Sequence, residues 1–152
     1  MIKIICVGKI KKQYLKEAID DYQTRLKKYT RIEIVEVPDC PIDDPKVSLP
    51  KEKEQIVKQI KEKDYVITLE IDGHEVTSNN LAQQLDQIQT NGNTDITFII
   101  GGSYGLDQEL KDRSNWKLSF SKLTFPHQLF RLLLLEQIYR AYKINNHESY
   151  HK

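Results

Sequence analysis

Six consecutive positions near the start of the chain, Ile2 to Val7, are apolar apart from Lys3, and Gly8 closes the run. A short continuous apolar stretch bounded by a turn residue predicts a strand buried on both faces. Over residues 12–29 the period changes. Leu15, Ala18, Ile19, Tyr22, Leu26 and Tyr29 recur every three or four residues, which places them on one face of a helix. IEIVEV at 32–37 alternates and stops at Pro38, the pattern of a strand near a sheet edge. DCPIDDPKVSLP then reads as a mobile loop. Pro50 suits the first position of a helix running to about Lys63, with Ile56, Val57 and Ile60 as its core side chains. YVITLEI at 65–71 predicts a strand closed by the turn pair Asp72-Gly73, and Ser78 or Asn79 is expected to cap a helix presenting Leu81, Leu85 and Ile88. ITFII at 96–100 is a buried strand running into Gly101-Gly102. A short helix near 107–113, a strand near 117–121 and a long helix from Pro126 to about Ile144 complete the pattern.

Five strands alternating with helices predict an α/β fold: a mainly parallel sheet covered by helices on both faces, built as one domain over 1–152. Ligands in such sheets bind beyond the carboxyl ends of the strands. Three of those ends are unusual here, at 69–73, 101–106 and 120–126. The final helix is apolar on all sides, with side chains at 129, 130, 132–135, 138, 139, 141, 142 and 144. A helix of that kind has to be covered all round. A second copy of the chain, in a twofold homodimer, is the expected cover.

Composition narrows the class. With 39% apolar and 30% charged residues in 152, the chain is neither disordered nor low-complexity. It contains no apolar run of the ~18 residues that a membrane span requires, so no membrane partner is expected. The N-terminal apolar stretch is short and followed by lysines, unlike a secretion signal. Cys6 and Cys40 form no metal or disulfide pattern, which points to a cytoplasmic protein with reduced thiols. The net charge of +1 conceals an asymmetry. Residues 1–31 hold nine Lys and Arg against three Asp and Glu, residues 32–110 hold six against sixteen, and residues 111–152 hold eight against three. If the two basic ends meet, they form a positive surface that permits a nucleic-acid ligand.

Three segments carry candidate chemistry. IIGGSYGL at 99–106 places glycines at a strand end, where the backbone can approach a ligand closely. Its GGxxG spacing is not the dinucleotide fingerprint, and there is no phosphate loop. LSFSKLTFPHQLFR at 118–131 joins a strand to a helix through small polar and aromatic residues. Main-chain groups between Phe120 and Phe125 suit a purine edge, with Leu123 and Phe125 as apolar walls. The tail holds His147, Tyr150 and His151, residues fit for proton transfer or base stacking. His74 lies among Asp72 and Glu75 but is crowded into a turn without distant ligands, and no metal is expected. Glu136 and Arg140 stand four apart, in the favoured order for a helical ion pair.

VGK at 7–9, VITLEIDG at 66–73, IIGGSYGL, LSFSKLTFPHQLFR, EQIYRAYKI at 136–144 and SYHK at 149–152 follow one another in this order. Together they closely resemble the small bacterial methyltransferases of the SPOUT, or α/β-knot, class that modify N3 of a pseudouridine in large-subunit ribosomal RNA. The resemblance covers essentially the whole chain. It implies a C-terminal trefoil knot and a homodimer. It implies S-adenosylmethionine as cofactor, with Leu69, Gly101, Phe120, Ser121, Lys122, Leu123, Thr124 and Phe125 around it. The tail would complete the neighbouring subunit's active site, where Glu136, Arg140, Tyr150 and His151 match the family's positions. The partner would be the assembled ribosome. Tyr104 departs from the family's smaller polar residue, and no role carries over to 39–50.

On that reading orientation is the main catalytic lever. His151 would accept or relay the N3 proton and Tyr150 would position the ring by stacking; the alternative is that solvent takes the proton and His151 only contacts phosphate. Arg140 would stabilise negative charge on the imide oxygens, held in place by Glu136. The competing readings are a SPOUT methyltransferase acting on another RNA such as a transfer RNA, a non-catalytic nucleotide- or RNA-binding module, and a Rossmann-like oxidoreductase. The last lacks its GxGxxG.

Overall fold

The computed structural model describes residues 1–152. Five strands, β1 (Ile2–Val7), β2 (Ile32–Val37), β3 (Tyr65–Glu75), β4 (Ile96–Ile100) and β5 (Trp116–Ser119), form one sheet in the order β2-β1-β4-β3-β5. Every pairing is parallel. The helices are α1 (Gln13–Leu26), α2 (Pro45–Val57), α3 (Ser78–Thr90), α4 (Gln108–Arg113) and α5 (His127–Asn145).

Strand alternation divides the core into two layers. Ile2, Ile4, Cys6, Ile67, Ile96, Phe98 and Ile100 face α1, α3 and α5, meeting Ile19, Leu26, Leu81, Leu85, Leu134, Leu135 and Ile138. Ile5, Val7, Val66 and Ile99 face α2 and α4, meeting Ile56, Leu106 and Leu110. Crossovers in one direction along the sheet use one face and those in the other direction use the opposite face. All four therefore share one hand, as strand twist requires. All six residues of β1 are buried, Lys3 included, whose ammonium donates to the Gln59 carbonyl at 2.8 Å.

The helix after β2 begins earlier than its proline pattern suggests. Pro45 occupies the first turn and the Asp44 carboxylate accepts from the Lys46 N–H at 3.0 Å, while Pro50 lies inside the helix. The stretch expected to be loop is thus helical from Pro45. Asp44 caps the helix and Pro45 suits its first turn, and burial of Ser48, Glu52 and Ile56 carries the helix past the hydrogen bond that Pro50 forfeits. Val57 is exposed, and Ser48, Glu52 and Ile56 are the buried positions. In α3 the cap is Thr77, which exchanges hydrogen bonds with Asn80 in a capping box. β5 lies at 116–119, and residues 120 and 121 belong to the connection that follows.

α5 packs against α1 and α3. Within the chain Leu134, Leu135, Ile138, Tyr139 and Ala141 are buried, Leu132 and Leu133 are half-buried and Leu129 is exposed. Arg131, the charge inside the apolar run, is 2% exposed and bonds Glu36 at 2.6 Å and the Gly8 carbonyl at 3.2 Å. It ties the start of α5 to the ends of β1 and β2. No helix is long and apolar enough to cross a membrane.

Candidate active site

The carboxyl ends of β3, β4 and β5 enclose a cavity of about 420 Å³. Each wall has a local cause. Leu118 of β5 pairs with Leu69 and again with His74, so four residues of β3 bulge out between two stretches of ladder. The expected strand end at residue 71 is in fact this bulge, and pairing resumes to Glu75. It throws Glu70, Ile71 and Asp72 into the cavity wall. Gly73 permits it, because a Cβ there would lie 2.8 Å from the Lys117 carbonyl. The second wall is the turn after β4, closed by the Gly105 N–H donating to the Gly102 carbonyl at 3.1 Å. Gly105 has φ +79°, and a Cβ on Gly101 would overlap the Gly105 carbonyl. The third wall is the 119–125 connection. The Ser119 hydroxyl donates to the Ser121 carbonyl at 3.1 Å, and the Leu123 N–H donates to the Ser121 hydroxyl at 3.0 Å. Phe120 and Phe125 lean on Phe130, with ring centroids 4.9 and 6.0 Å away.

Of the cofactor residues proposed from sequence, Leu69, Gly101, Phe120, Ser121, Leu123, Thr124 and Phe125 line this cavity. Lys122 does not; its side chain is exposed. Sequence reasoning missed Glu70, Lys111, His127 and Phe130 as lining residues. Glu70 accepts from the Thr68 hydroxyl at 2.6 Å and faces Lys111 at 3.8 Å, setting an ion pair in a wall that mixes apolar side chains with polar groups such as Asp72 and His127. The Asp72-Gly73 pair was a visible turn signal. Nothing in the sequence announced Lys111. Tyr104 stands at the rim, its hydroxyl bonded to Asp43, so the 39–44 loop braces the cavity turn.

The four residues proposed for catalysis gather elsewhere, on the second half of α5 and the tail. Glu136 accepts from Arg140 Nε at 3.0 Å, Arg140 Nη2 at 2.6 Å and the Tyr150 hydroxyl at 3.1 Å. Arg140 lies over the Tyr150 ring at 4.7 Å and donates from Nη1 to His151 Nδ1 at 3.0 Å. A guanidinium cannot accept, so the Nδ1 of His151 presents its lone pair and the neutral imidazole carries hydrogen on Nε2. Burial raises the Tyr150 phenol well above its ordinary value, with Tyr22 and Glu136 adding to the effect, so the hydroxyl stays protonated. The Glu136 hydrogen bond in turn raises the Arg140 guanidinium and keeps it charged. The tail root is fixed by Glu148, which accepts from Tyr29 at 2.8 Å, Lys143 at 2.9 Å and Lys28 at 3.3 Å. No cluster of three or more His, Cys, Asp or Glu stands close enough to hold a metal ion.

A parallel sheet with a glycine-lined cavity beyond its carboxyl ends, and a long last helix packed on one face, defines an open α/β protein with a ligand site at its strand ends. A model of the predicted SPOUT methyltransferases matches residues 1–151, and the chain belongs to that family. It is 52% identical, over 99% of both chains, to the putative ribosomal RNA large subunit methyltransferase H of Methanococcus maripaludis strain C5. In fold it resembles a probable methylase family protein from Haemophilus influenzae Rd KW20, with TM-score 0.58 and 15% identity over 99% of this chain and 70% of that one.

Proposed function

We propose that this chain transfers the methyl group of S-adenosylmethionine to N3 of a pseudouridine in large-subunit ribosomal RNA, acting in the cytoplasm as a homodimer whose subunits share their active sites. The near full-length similarity to a relative with that class of ribosomal substrate in its name supports the target. The cavity suits the cofactor. Its volume falls within the usual range for small-ligand sites, apolar walls carry a few polar groups, and close main-chain approach is available at Gly101. Leu69, Gly101 and the 120–125 connection would hold it, with the connection passing through the knot of the class. When bound, the cofactor supplies an electrophilic methyl group.

The observation that carries the shared-site reading is a separation. The cavity abuts the first turn of α5 through His127 and Phe130, while Glu136 and Arg140 lie further along the same helix. Phe130 and Arg140 are ten residues apart, roughly 15 Å along the axis. A transferring carbon and its acceptor must come within about 3–3.5 Å. That spacing supports a reading in which one chain's α5 does not serve both halves of the reaction and a second copy packed on Leu129, Leu132 and Leu133 supplies the missing half.

The residues then divide the work. Glu136 aligns Arg140, whose charge stabilises the imide anion left when N3 loses its proton. His151, with Nδ1 engaged by Arg140, offers Nε2–H to an imide oxygen; the N3 proton passes to Nδ1 when the ring releases Arg140, or otherwise to solvent. Tyr150 braces Arg140 with its ring. The test is complementation. A subunit truncated after Lys143 is mixed with a Gly101→Val subunit, and each homodimer is expected to be inactive on ribosomes. The heterodimer regains activity, read by mass spectrometry of the ribosomal RNA. A confirmed heterodimer without activity refutes the shared site, and methyl groups found only on transfer RNA refute the substrate.

A further inference from the structure

The turn between β1 and α1 reads Gly8-Lys-Ile-Lys-Lys12, and the fold brings it to the mouth of the cavity. Two hydrogen bonds fix it there, and Gly8, at φ +91°, sits beside the cavity wall, where an added Cβ would come 3.7 Å from His127 Nε2. The Gly8 carbonyl accepts from Arg131 at 3.2 Å. The Lys11 N–H donates to the Gln128 side chain at 3.1 Å. Lys9, Lys11, Lys12 and, one turn into α1, Lys16 are all exposed, and none lies within 4 Å of a carboxylate, although the charge of Lys9 is felt by Glu36, which pairs with Arg131. The first turn of α1 carries no acidic residue to neutralise them. Lys122 adds a fifth unpaired, exposed cation from the cavity's other rim. Among these charges Tyr14 is 67% exposed and Leu123 is 70% exposed.

Unpaired lysines cost solubility nothing, but their concentration at one edge is informative. The chain is nearly neutral, and the carboxylates that balance these lysines are concentrated in residues 32–110. A polyanion approaching the cavity mouth meets positive charge first, and an exposed aromatic ring among lysines suits a nucleobase. We infer that Lys9, Lys11, Lys12 and Lys16, with Tyr14, form the docking rim that grips the phosphate backbone of the RNA flanking the target base. This rests on the proposed RNA substrate and adds the surface by which it is held. The rim positions the substrate and touches neither the methyl donor nor the reacting atoms.

The test compares two triple variants that remove equal charge. Lys9→Gln/Lys11→Gln/Lys12→Gln alters the rim; Lys58→Gln/Lys61→Gln/Lys63→Gln alters exposed lysines at the amino edge of β3. Binding to large ribosomal subunits is measured by co-sedimentation across a salt series, together with steady-state kinetics, calorimetry with S-adenosylhomocysteine, and sedimentation of the protein alone. The rim variant is expected to bind at least ~10-fold more weakly at low salt, with its log–log salt slope reduced by about 2–3. KM for subunits rises, kcat at saturation holds, and cofactor affinity is unchanged. Equal effects from both variants, or an unaltered salt slope in the rim variant, overturn the inference. So does a changed oligomeric state in the rim variant alone, which makes the patch a contact between copies. A wild-type protein that binds subunits in a rim-dependent way but transfers no methyl group would refute the enzymatic reading and leave the rim standing.

Discussion

Removing the charge of Glu36 should destabilise the protein more than removing Arg131, although the first change deletes no heavy atom. Arg131 is 2% exposed, held at 2.6 Å by Glu36, while the Glu36 side chain is 36% exposed. In Glu36→Gln the guanidinium stays charged and buried beside a neutral amide. Its lost partner costs about 2–3 kcal/mol, toward the lower end for buried pairs because the amide still accepts. In Arg131→Met no buried charge remains, water reaches the freed carboxylate, and the thioether refills much of the apolar volume, so the cost is about 1–2 kcal/mol. The unpartnered Arg131 Nε is removed as well. With a urea slope of about 2 kcal/mol/M, the midpoints fall by about 1–1.5 M and about 0.5–1 M respectively. Combining the two changes should cost less than their sum. Acid provides an independent check. Burial pushes the Glu36 carboxyl up, but the Arg131 hydrogen bond, the Ile10 N–H and the guanidinium charge bring it below its ordinary 4.5. Its contribution is therefore present above pH 4.5 and lost as pH falls through the lower folded value, a dependence that both variants should lack. Urea titrations showing Glu36→Gln to be the milder change would mean that the pair behaves as an exposed salt bridge, worth about 0–1 kcal/mol, and the argument from burial would fail.

The remaining expectations concern the cavity, the tail and the thiols. Gly73→Val forces a side chain into the β5 backbone and should weaken both stability and cofactor affinity, whereas Gly92→Ala, at φ +94° with nothing within 4 Å, should cost only about 1 kcal/mol of backbone strain; calorimetry with S-adenosylhomocysteine separates them. The Lys143 and Tyr29 hydrogen bonds hold Glu148 at about 2, below its ordinary 4.5. The tail should stay docked at neutral pH and loosen as pH falls below 4.5 toward 2, read as faster amide exchange at 146–152, and Glu148→Gln should loosen it at every pH. Burial lifts the Cys6 thiol to about 12, so iodoacetamide should label Cys40 in the native protein and Cys6 only after unfolding.

Elements whose pattern reports their own burial were legible. IKIICV and ITFII read as strands covered on both faces and are buried at every position. IEIVEV before Pro38 read as an edge strand, and β2 is at the edge. The α2 start was not legible, because two prolines five residues apart both satisfy the first-turn rule and only the Asp44 cap separates them. The bulge in β3 was hidden for another reason: a strand that leaves its partner and returns keeps the composition of a strand, and only the double pairing of Leu118 reveals it. Most of the residues that the family resemblance proposed for the cofactor line one cavity. Glu70 and Lys111, 41 positions apart in sequence, meet there by a crossover that no local pattern encodes.

Taken alone, the sequence determined the parallel α/β architecture and the strand ends that hold the cavity, because periodicity and turn chemistry are local properties of the chain; that the tail joins Glu136 and Arg140 was implied only by the family resemblance. Tertiary structure decided what those parts are next to. It buried Arg131 against Glu36, carried the lysines of the β1–α1 turn to the cavity mouth, and set the Glu136–Arg140–Tyr150–His151 group at the far end of α5 from the cavity. Proximity between distant segments depends on crossover direction and helix packing, and those are settled only when the whole core closes.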